Sequence, residues 1–374
     1  SKAEIIYLII LTFVSFFYRI YGTWLNHPFW VDEFSTSAQA NYYLKYGLEV
    51  LSNPLINFEH NNYIYHFLTM IVFKTIGVSE FLARIPSILI GSSIPIVAYF
   101  FAKNIFNKKT ATISSLLLTF SYIEIAWSRQ ARGYVLLQGI ILLTLHIYFT
   151  ILKSEKPKSR LYFILAALVI AGMLTHLFFF PFLMMLMLHF CIAKKINLIK
   201  QAKKLKSLFL LGIIGAIFYQ FQFFSILGQI LKAGVLQGNN VWYYHSFLWR
   251  EYSLLTFLAV LGASYAMLKK TKFSYLLVTY CLLHLIFVCF MLKPYVSRYL
   301  LNILPLLFIF AAYAIDQIAP SKIKFFSLLM VIFIILNGDK FVTKPKQFYS
   351  VNHDFREIAV IDYKQVYDLI RMKG

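Results

Sequence analysis

Charge is scarce in this chain. Only 14% of its 374 residues are Asp, Glu, Lys or Arg, against about 25% in an ordinary soluble domain. Apolar residues make up 60%, which excludes a soluble enzyme and a disordered tail alike. Cysteine is also scarce: Cys191, Cys281 and Cys289 are the full set, without a CxxC pair. Cys281 and Cys289 would lie ~12 Å apart on one helix, too far to bridge. A disulfide-stapled module is therefore excluded, and all three read as buried small hydrophobes. There is no P-loop, GxGxxG, HExxH or paired Cys/His spacing, so neither a nucleotide-binding fold nor a metal site is suggested. His60, His66, His176 and His245 accordingly read as satisfied, non-ligand side chains. Glycine is low at 15 residues, and no internal repeat is visible. Both points weigh against a transporter built from repeats and broken helices.

What the chain has instead is a series of long apolar runs. At ~20 residues per crossing, they predict an all-α polytopic membrane protein. Spans are expected near 5–21, 86–106, 111–128, 132–152, 160–178, 181–193, 207–227, 251–268, 273–292, 298–316 and 323–337, about eleven in all. The first run lacks a cleavage site and reads as a retained span. Residues 26–85 form a polar and aromatic first loop with an amphipathic segment at 63–76, too short to cross and suited to the interface. The division expected is a transmembrane domain over 1–337 and a short polar tail over 338–374.

The net charge of +21 follows the membrane pattern. If 63–76 does not cross, Lys108, Lys109, Lys153, Lys156, Lys158, the six lysines from Lys194 to Lys206, Lys269, Lys270, Lys272 and Lys322 share one face. That face is cytoplasmic by the positive-inside rule, and nucleic-acid binding is the poorer reading. Before the tail, the loop acids collect on the opposite face: Asp32, Glu33, Glu49, Glu59, Glu80, Glu124 and Glu251, with only Glu155 and Asp316 at inner loops. Acids hardly influence insertion, so their clustering points to an extracytoplasmic site.

Three constellations could carry chemistry there. In His27-Pro28-Phe29-Trp30-Val31-Asp32-Glu33 an acidic pair opens a helix-compatible run. A helix N-terminus favours an ionised Asp, which could take a proton from an alcohol; an Asp so placed can equally be a cap. Neighbouring helical residues point ~100° apart, which favours Asp32 as base and Glu33 in an orienting or sugar-binding role. In IEIAWSRQARGY, Glu124, Arg129, Arg132 and Tyr134 lie together. The arginines, three apart, would share a helix face and suit phosphate or lipid headgroups. Arg298 and Tyr299 form the third group, and Arg84 a weaker fourth. Trp30, Tyr63, Trp242 and Tyr243 could stack on a sugar or belong to an aromatic belt.

These residues resemble, in order, the dolichyl-phosphate-mannose-protein mannosyltransferase-like superfamily. These are GT-C fold glycosyltransferases, and they include the lipid A aminoarabinose transferases. The resemblance rests on Asp32-Glu33, Gly77-Val-Ser-Glu-Phe-Leu-Ala-Arg84-Ile-Pro-Ser87, Arg132-Gly-Tyr134, Arg298-Tyr299-Leu-Leu-Asn-Ile-Leu-Pro305 and Asp354-Phe-Arg356-Glu-Ile-Ala. It implies a GT-C bundle, a polyprenyl-phosphate-linked sugar donor, transfer on the outer side of the plasma membrane, and Asp32 as the catalytic carboxylate. The chain is short for that superfamily, and Glu124 is the sole acid in its second outer loop.

The chemistry expected is direct displacement. A lipid phosphate leaves as a stable anion, so one base suffices where glycoside hydrolysis uses two carboxylates. Asp32 would deprotonate the acceptor hydroxyl, with inversion at the anomeric carbon. Arg132, Arg298, Arg129 and Arg84 would hold the phosphate, and Glu124, Tyr134, Trp30 and Tyr299 would contact substrate. No cofactor is required by the sequence, and a divalent cation is left open. The acceptor would be a lipid, a polysaccharide or a protein. A flippase or transporter for a lipid-linked sugar is the alternative.

Overall fold

A computed structural model describes residues 2–25, 29–53, 55–57, 59, 62–193, 239–271, 273–292, 295–318, 326–337 and 340–344. The expected span 207–227, the basic loop 194–206, His27, Pro28, His60 and the motif from Asp354 lie outside the described residues. The described chain is almost entirely helical. Its helices are α1 (Lys2–Ile20), α2 (Val31–Tyr46), α3 (Tyr63–Thr75), α4 (Glu80–Ile105), α5 (Lys108–Phe120), α6 (Tyr122–Ser128), α7 (Tyr134–Lys153), α8 (Ser159–Thr175) and α9 (Phe179–Ala193). After the gap come α10 (Val241–Ser246), α11 (Ser253–Leu268), α12 (Ser274–Phe290), α13 (Leu304–Ile318) and α14 (Phe326–Asn337).

Among the described residues, α1, α4 and α7 are each long and apolar enough to cross a membrane. The segment Val241–Glu251 bends by 101° into α11 and adds a fourth crossing if the pair is one span. α1 shows why lipid is the right solvent. Its exposed stripe is Ile5, Ile6, Ile9, Ile10 and Phe13, whereas its buried face is Leu11, Ser15 and Arg19. That is the reverse of a water-soluble amphipathic helix.

The chain divides into two compact units. The first comprises 1–96, 116–136 and 331–374. Here the expected single span 111–128 is corrected: α5 ends at Phe120, Ser121 is extended (φ −63°, ψ 125°), and α6 restarts at Tyr122. A broken helix leaves carbonyls and amides without intrahelical partners, and in lipid these must be satisfied by protein. Arg19 serves the carbonyls of Leu118 (3.3 Å) and Thr119 (3.4 Å). The segment after α14 serves two further groups at the break. Val342 N–H donates to Phe120 O and Lys340 O accepts from Tyr122 N–H, both at 2.8 Å, and Tyr18 Oη donates to Thr343 O at 2.7 Å. Arg19 also reaches Ser128 Oγ at 3.2 Å and Ser15 Oγ at 2.9 Å. Gly91 of α4 lies so close to Ser128 that a Cβ there would overlap its hydroxyl, so α4 and α6 approach only because residue 91 has no side chain.

The second unit comprises 97–115 and 137–330. α11 packs along α13, where Gly262 lies directly against the backbone carbonyl of Phe310. α13 is buried almost throughout, from Leu304 to Ile315. It starts at Leu304, with Pro305 in its first turn, where a missing N–H costs nothing. Arg298 and Tyr299 therefore do not open a helix as expected; they sit in a short 3-10 turn, Ser297–Leu300.

Candidate functional site

Within the first unit the 129–133 loop, the first turn of α2, the loop before α3 and the start of α4 converge. α2 begins at Val31 behind an extended Trp30 (φ −80°, ψ 168°), and no side chain caps it. Asp32 and Glu33 both fall in its first turn, where the helix dipole favours negative charge. Neither stands at the cap position itself. As their adjacency requires, they point apart.

Glu33 points inward and is fully buried. Arg84, itself 1% exposed, grips it with two hydrogen bonds of 2.8 Å, from Nε to Oε1 and from Nη2 to Oε2. Ala131 N–H donates to Oε1 at 2.8 Å as a third bond. The Phe29 ring covers the Arg84 guanidinium at 5.1 Å. Three donors on one sealed carboxylate tie α2, α4 and the 129–133 loop together. Tyr65 Oη extends the junction, donating to Ala83 O at 3.0 Å and lying 2.8 Å from Ser87 Oγ.

Asp32 points the other way, with its side chain 28% exposed. Its carboxylate lies 3.9 Å from Arg132 Nη2, while Arg132 Nη1 donates to its backbone oxygen at 3.1 Å. Nη1 also donates to Thr36 Oγ1 at 2.6 Å and to Glu59 Oε1 at 2.7 Å. The Tyr134 ring lies 5.7 Å from the same guanidinium. Neighbouring carboxylates outweigh burial and hold Arg132 charged well past the ordinary range.

Glu59 is one of several acids in the first loop, and nothing in its sequence context singles it out. Its carboxylate accepts from Thr36 Oγ1 (3.0 Å), from Asn62 Nδ2 (2.9 Å) and from Arg132, and lies 3.1 Å from His66 Nε2. Burial pushes its pKa up, yet the His66 hydrogen bond, the Arg132 charge and Asn62 together hold it at about 2. Asn62 adopts the left-handed conformation (φ 63°) just before α3, one that Asn tolerates better than most residues. The turn brings Glu59 back over His66. Gly133 completes the fit: a Cβ there would overlap Asn62 Oδ1.

The expected pairing of Arg129 with Arg132 on one helix face is corrected. α6 ends at Ser128, Arg129 caps it, and the chain leaves helical conformation before Arg132. Arg129 is fully buried, as is Glu124 in α6, whose charge acts on Arg19. Trp30 is also buried, and its indole N–H donates to Gln130 Oε1 at 2.8 Å. Arg298 and Tyr299 belong to the second unit. Their turn is fixed there by His284 Nε2, 2.6 Å from Tyr299 O, and by Gln138 Nε2, which donates to Leu301 O at 2.8 Å. Arg298 lies over the Tyr299 ring at 5.7 Å. Trp242 and Tyr243 are also in the second unit, gathered with Tyr295. Among the described residues no three His, Cys, Asp or Glu side chains are grouped to hold a metal ion.

Comparison with known proteins names this architecture. Residues 61–223 match the family model for dolichyl-phosphate-mannose-protein mannosyltransferase. Apo ArnT from Cupriavidus metallidurans superposes with a TM-score of 0.63 at 11% identity, over 90% of this chain and 64% of that one. The chain has the GT-C fold. ArnT bound to undecaprenyl phosphate matches with a TM-score of 0.56 at 13% identity, with the same coverage. The Archaeoglobus fulgidus oligosaccharyltransferase AglB, in complex with an inhibitory peptide and a dolichol-phosphate, matches at 0.57 and 13% identity. That match covers 90% of this chain and 54% of AglB. The chain thus spans just under two thirds of the ArnT length and about half of the AglB length. No curated protein matches it by sequence.

Proposed function

We propose that this chain is a membrane glycosyltransferase that moves a sugar from a polyprenyl-phosphate donor to an acceptor hydroxyl on the outer side of the membrane. The observation that carries the reading is the placement of Asp32. It is a partly accessible carboxylate in the first turn of a helix, beside a nearly buried arginine, in a GT-C fold. The ArnT and AglB structures with bound undecaprenyl phosphate and dolichol-phosphate support a lipid-phosphate donor.

In the mechanism, Asp32 accepts the hydroxyl proton while the acceptor oxygen attacks the anomeric carbon. The bond from that carbon to the phosphate oxygen breaks on the opposite face, and the lipid phosphate departs with the electron pair. Configuration inverts. General-base assistance of this kind contributes ~10²–10⁴-fold. The Glu33–Arg84 pair holds the first turn of α2, and so the Asp32 backbone, in place. Arg132, beside Asp32, supplies positive charge for the phosphate.

The test is transfer from a labelled polyprenyl-phosphate sugar by purified protein. Asp32→Asn should cut turnover at least a hundredfold while donor binding persists; normal turnover removes the base. Arg132→Ala should weaken donor binding, and unchanged affinity rejects its phosphate role. Transport of the intact donor without transfer would favour the flippase reading.

A further inference from the structure

Arg132 is not free to act on Asp32 alone. Its Nη1 is already shared by Glu59 Oε1 at 2.7 Å and Thr36 Oγ1 at 2.6 Å, while its Nη2 lies 3.9 Å from Asp32. Both side chains of the closer pair are nearly buried, at 11% and 12% exposure. Glu59 is itself fixed on three other sides, by Thr36, Asn62 and His66. We propose that Glu59 is a positioning residue: it locks the Arg132 guanidinium beside Asp32 and offsets its charge, so that the cation draws less on the carboxylate that takes the acceptor proton. This rests on the assignment of Asp32 as base.

The electrostatic argument is short. A cation within ~4–6 Å stabilises a carboxylate anion and weakens it as a base. A second anion bonded to the same cation cancels part of the effect. The other charged or titratable groups around this cluster are Glu33 and Tyr43 on α2, His66 and Tyr65 on α3, Arg84 on α4 and Tyr134 on α7. Glu33 and Arg84 neutralise each other through their two-bond contact. Tyr43 stacks on His66 with centroids 6.2 Å apart; burial and the neighbouring Tyr63 push its phenol up to about 12, so it stays neutral. Burial likewise pushes Tyr65 up. That leaves Glu59, with His66 against it, as the group placed to balance Arg132.

The experiment follows two readouts in the full-length protein in detergent or nanodiscs. One is the pH profile of kcat/KM with the labelled donor. The other is the titration of Asp32 by carbonyl-¹³C NMR of aspartate-labelled protein, assigned by difference with Asp32→Asn. In Glu59→Gln, both the acid limb of the profile and the Asp32 titration should move to lower pH by roughly one unit or more, and Glu59→Asp should restore most of the shift. No movement in Glu59→Gln, or an equal movement in Glu59→Asp, overturns the proposal. If Glu59→Gln does not yield folded protein, Arg132→Gln decides: the Asp32 titration should rise, and an unchanged one overturns the offset. Normal turnover by Asp32→Asn would instead overturn the base assignment, and the NMR titration would still decide whether Glu59 balances Arg132.

Discussion

At the residue scale, two neighbouring acids have opposite fates because a helix turns them apart. Asp32 meets solvent and Glu33 is sealed against Arg84. Removing one member of a buried ion pair strands the other without water, at a cost of about 3–5 kcal/mol. Glu33→Gln should therefore lower the thermal unfolding midpoint in detergent sharply. The double change Glu33→Leu with Arg84→Met should recover much of the loss. Acid should act through Glu59. Its pKa is depressed from 4.5 to about 2 in the folded protein, so its contribution to stability is complete above pH 4.5 and lost as pH falls towards 2. Glu59→Gln should flatten the pH dependence of the melting midpoint across that window; an unchanged acid slope would count against the ion-pair account. The Asp32–Glu33 pair was legible because its members are adjacent and open a helix. Glu59 was not, because its partner Arg132 is 73 positions away and no spacing rule links a loop acid to a loop arginine.

At the scale of elements, α3 and the first turn of α2 follow from hydropathy and charge, whereas the α5–α6 break does not. The stretch around Ser121 contains neither Pro nor Gly, so nothing local marks it. The break exists because distant groups satisfy its backbone: Arg19, and the segment 340–344. Val342→Pro deletes the N–H that Phe120 O accepts. The expected cost is about 1–3 kcal/mol for a buried unsatisfied carbonyl. Hydrogen exchange should quicken at Tyr122 and through α6 while the middle of α5 keeps its protection. Equal protection across both helices would show that the segment plays no part in holding the break. The pairing of Arg129 with Arg132 fails for a separate reason: α6 ends at Ser128, and the three-residue spacing falls on a loop instead of a helix face.

At the scale of the molecule, the all-helical GT-C architecture could be read in advance, because its signals are strung in order along the chain and do not depend on contacts. The count of crossings was less accessible, since apolar helices such as α8 (17 residues) and α13 (15 residues) are shorter than a straight span requires. The donor assignment makes a global prediction. A ligand that binds only the folded state stabilises it by RT ln(1 + [L]/Kd), about 2.7 kcal/mol at one hundred times Kd. A polyprenyl phosphate should raise the unfolding midpoint in nanodiscs in a concentration-dependent way, and a polyprenol without phosphate should do so much less. Equal shifts would mean that the phosphate is not recognised.

The three-donor knot on Glu33 has one more consequence. Mobile ions screen charges that they can approach, over about 8 Å at physiological ionic strength, but they cannot enter a contact closed on every side by α2, α4 and Phe29. Molar sodium chloride should thus leave the junction of α2, α4 and the 129–133 loop intact. The same brine should dull the pull of Arg132 on whatever anion approaches the open carboxylate of Asp32, so the anchor and the working charge beside it part company as ionic strength climbs.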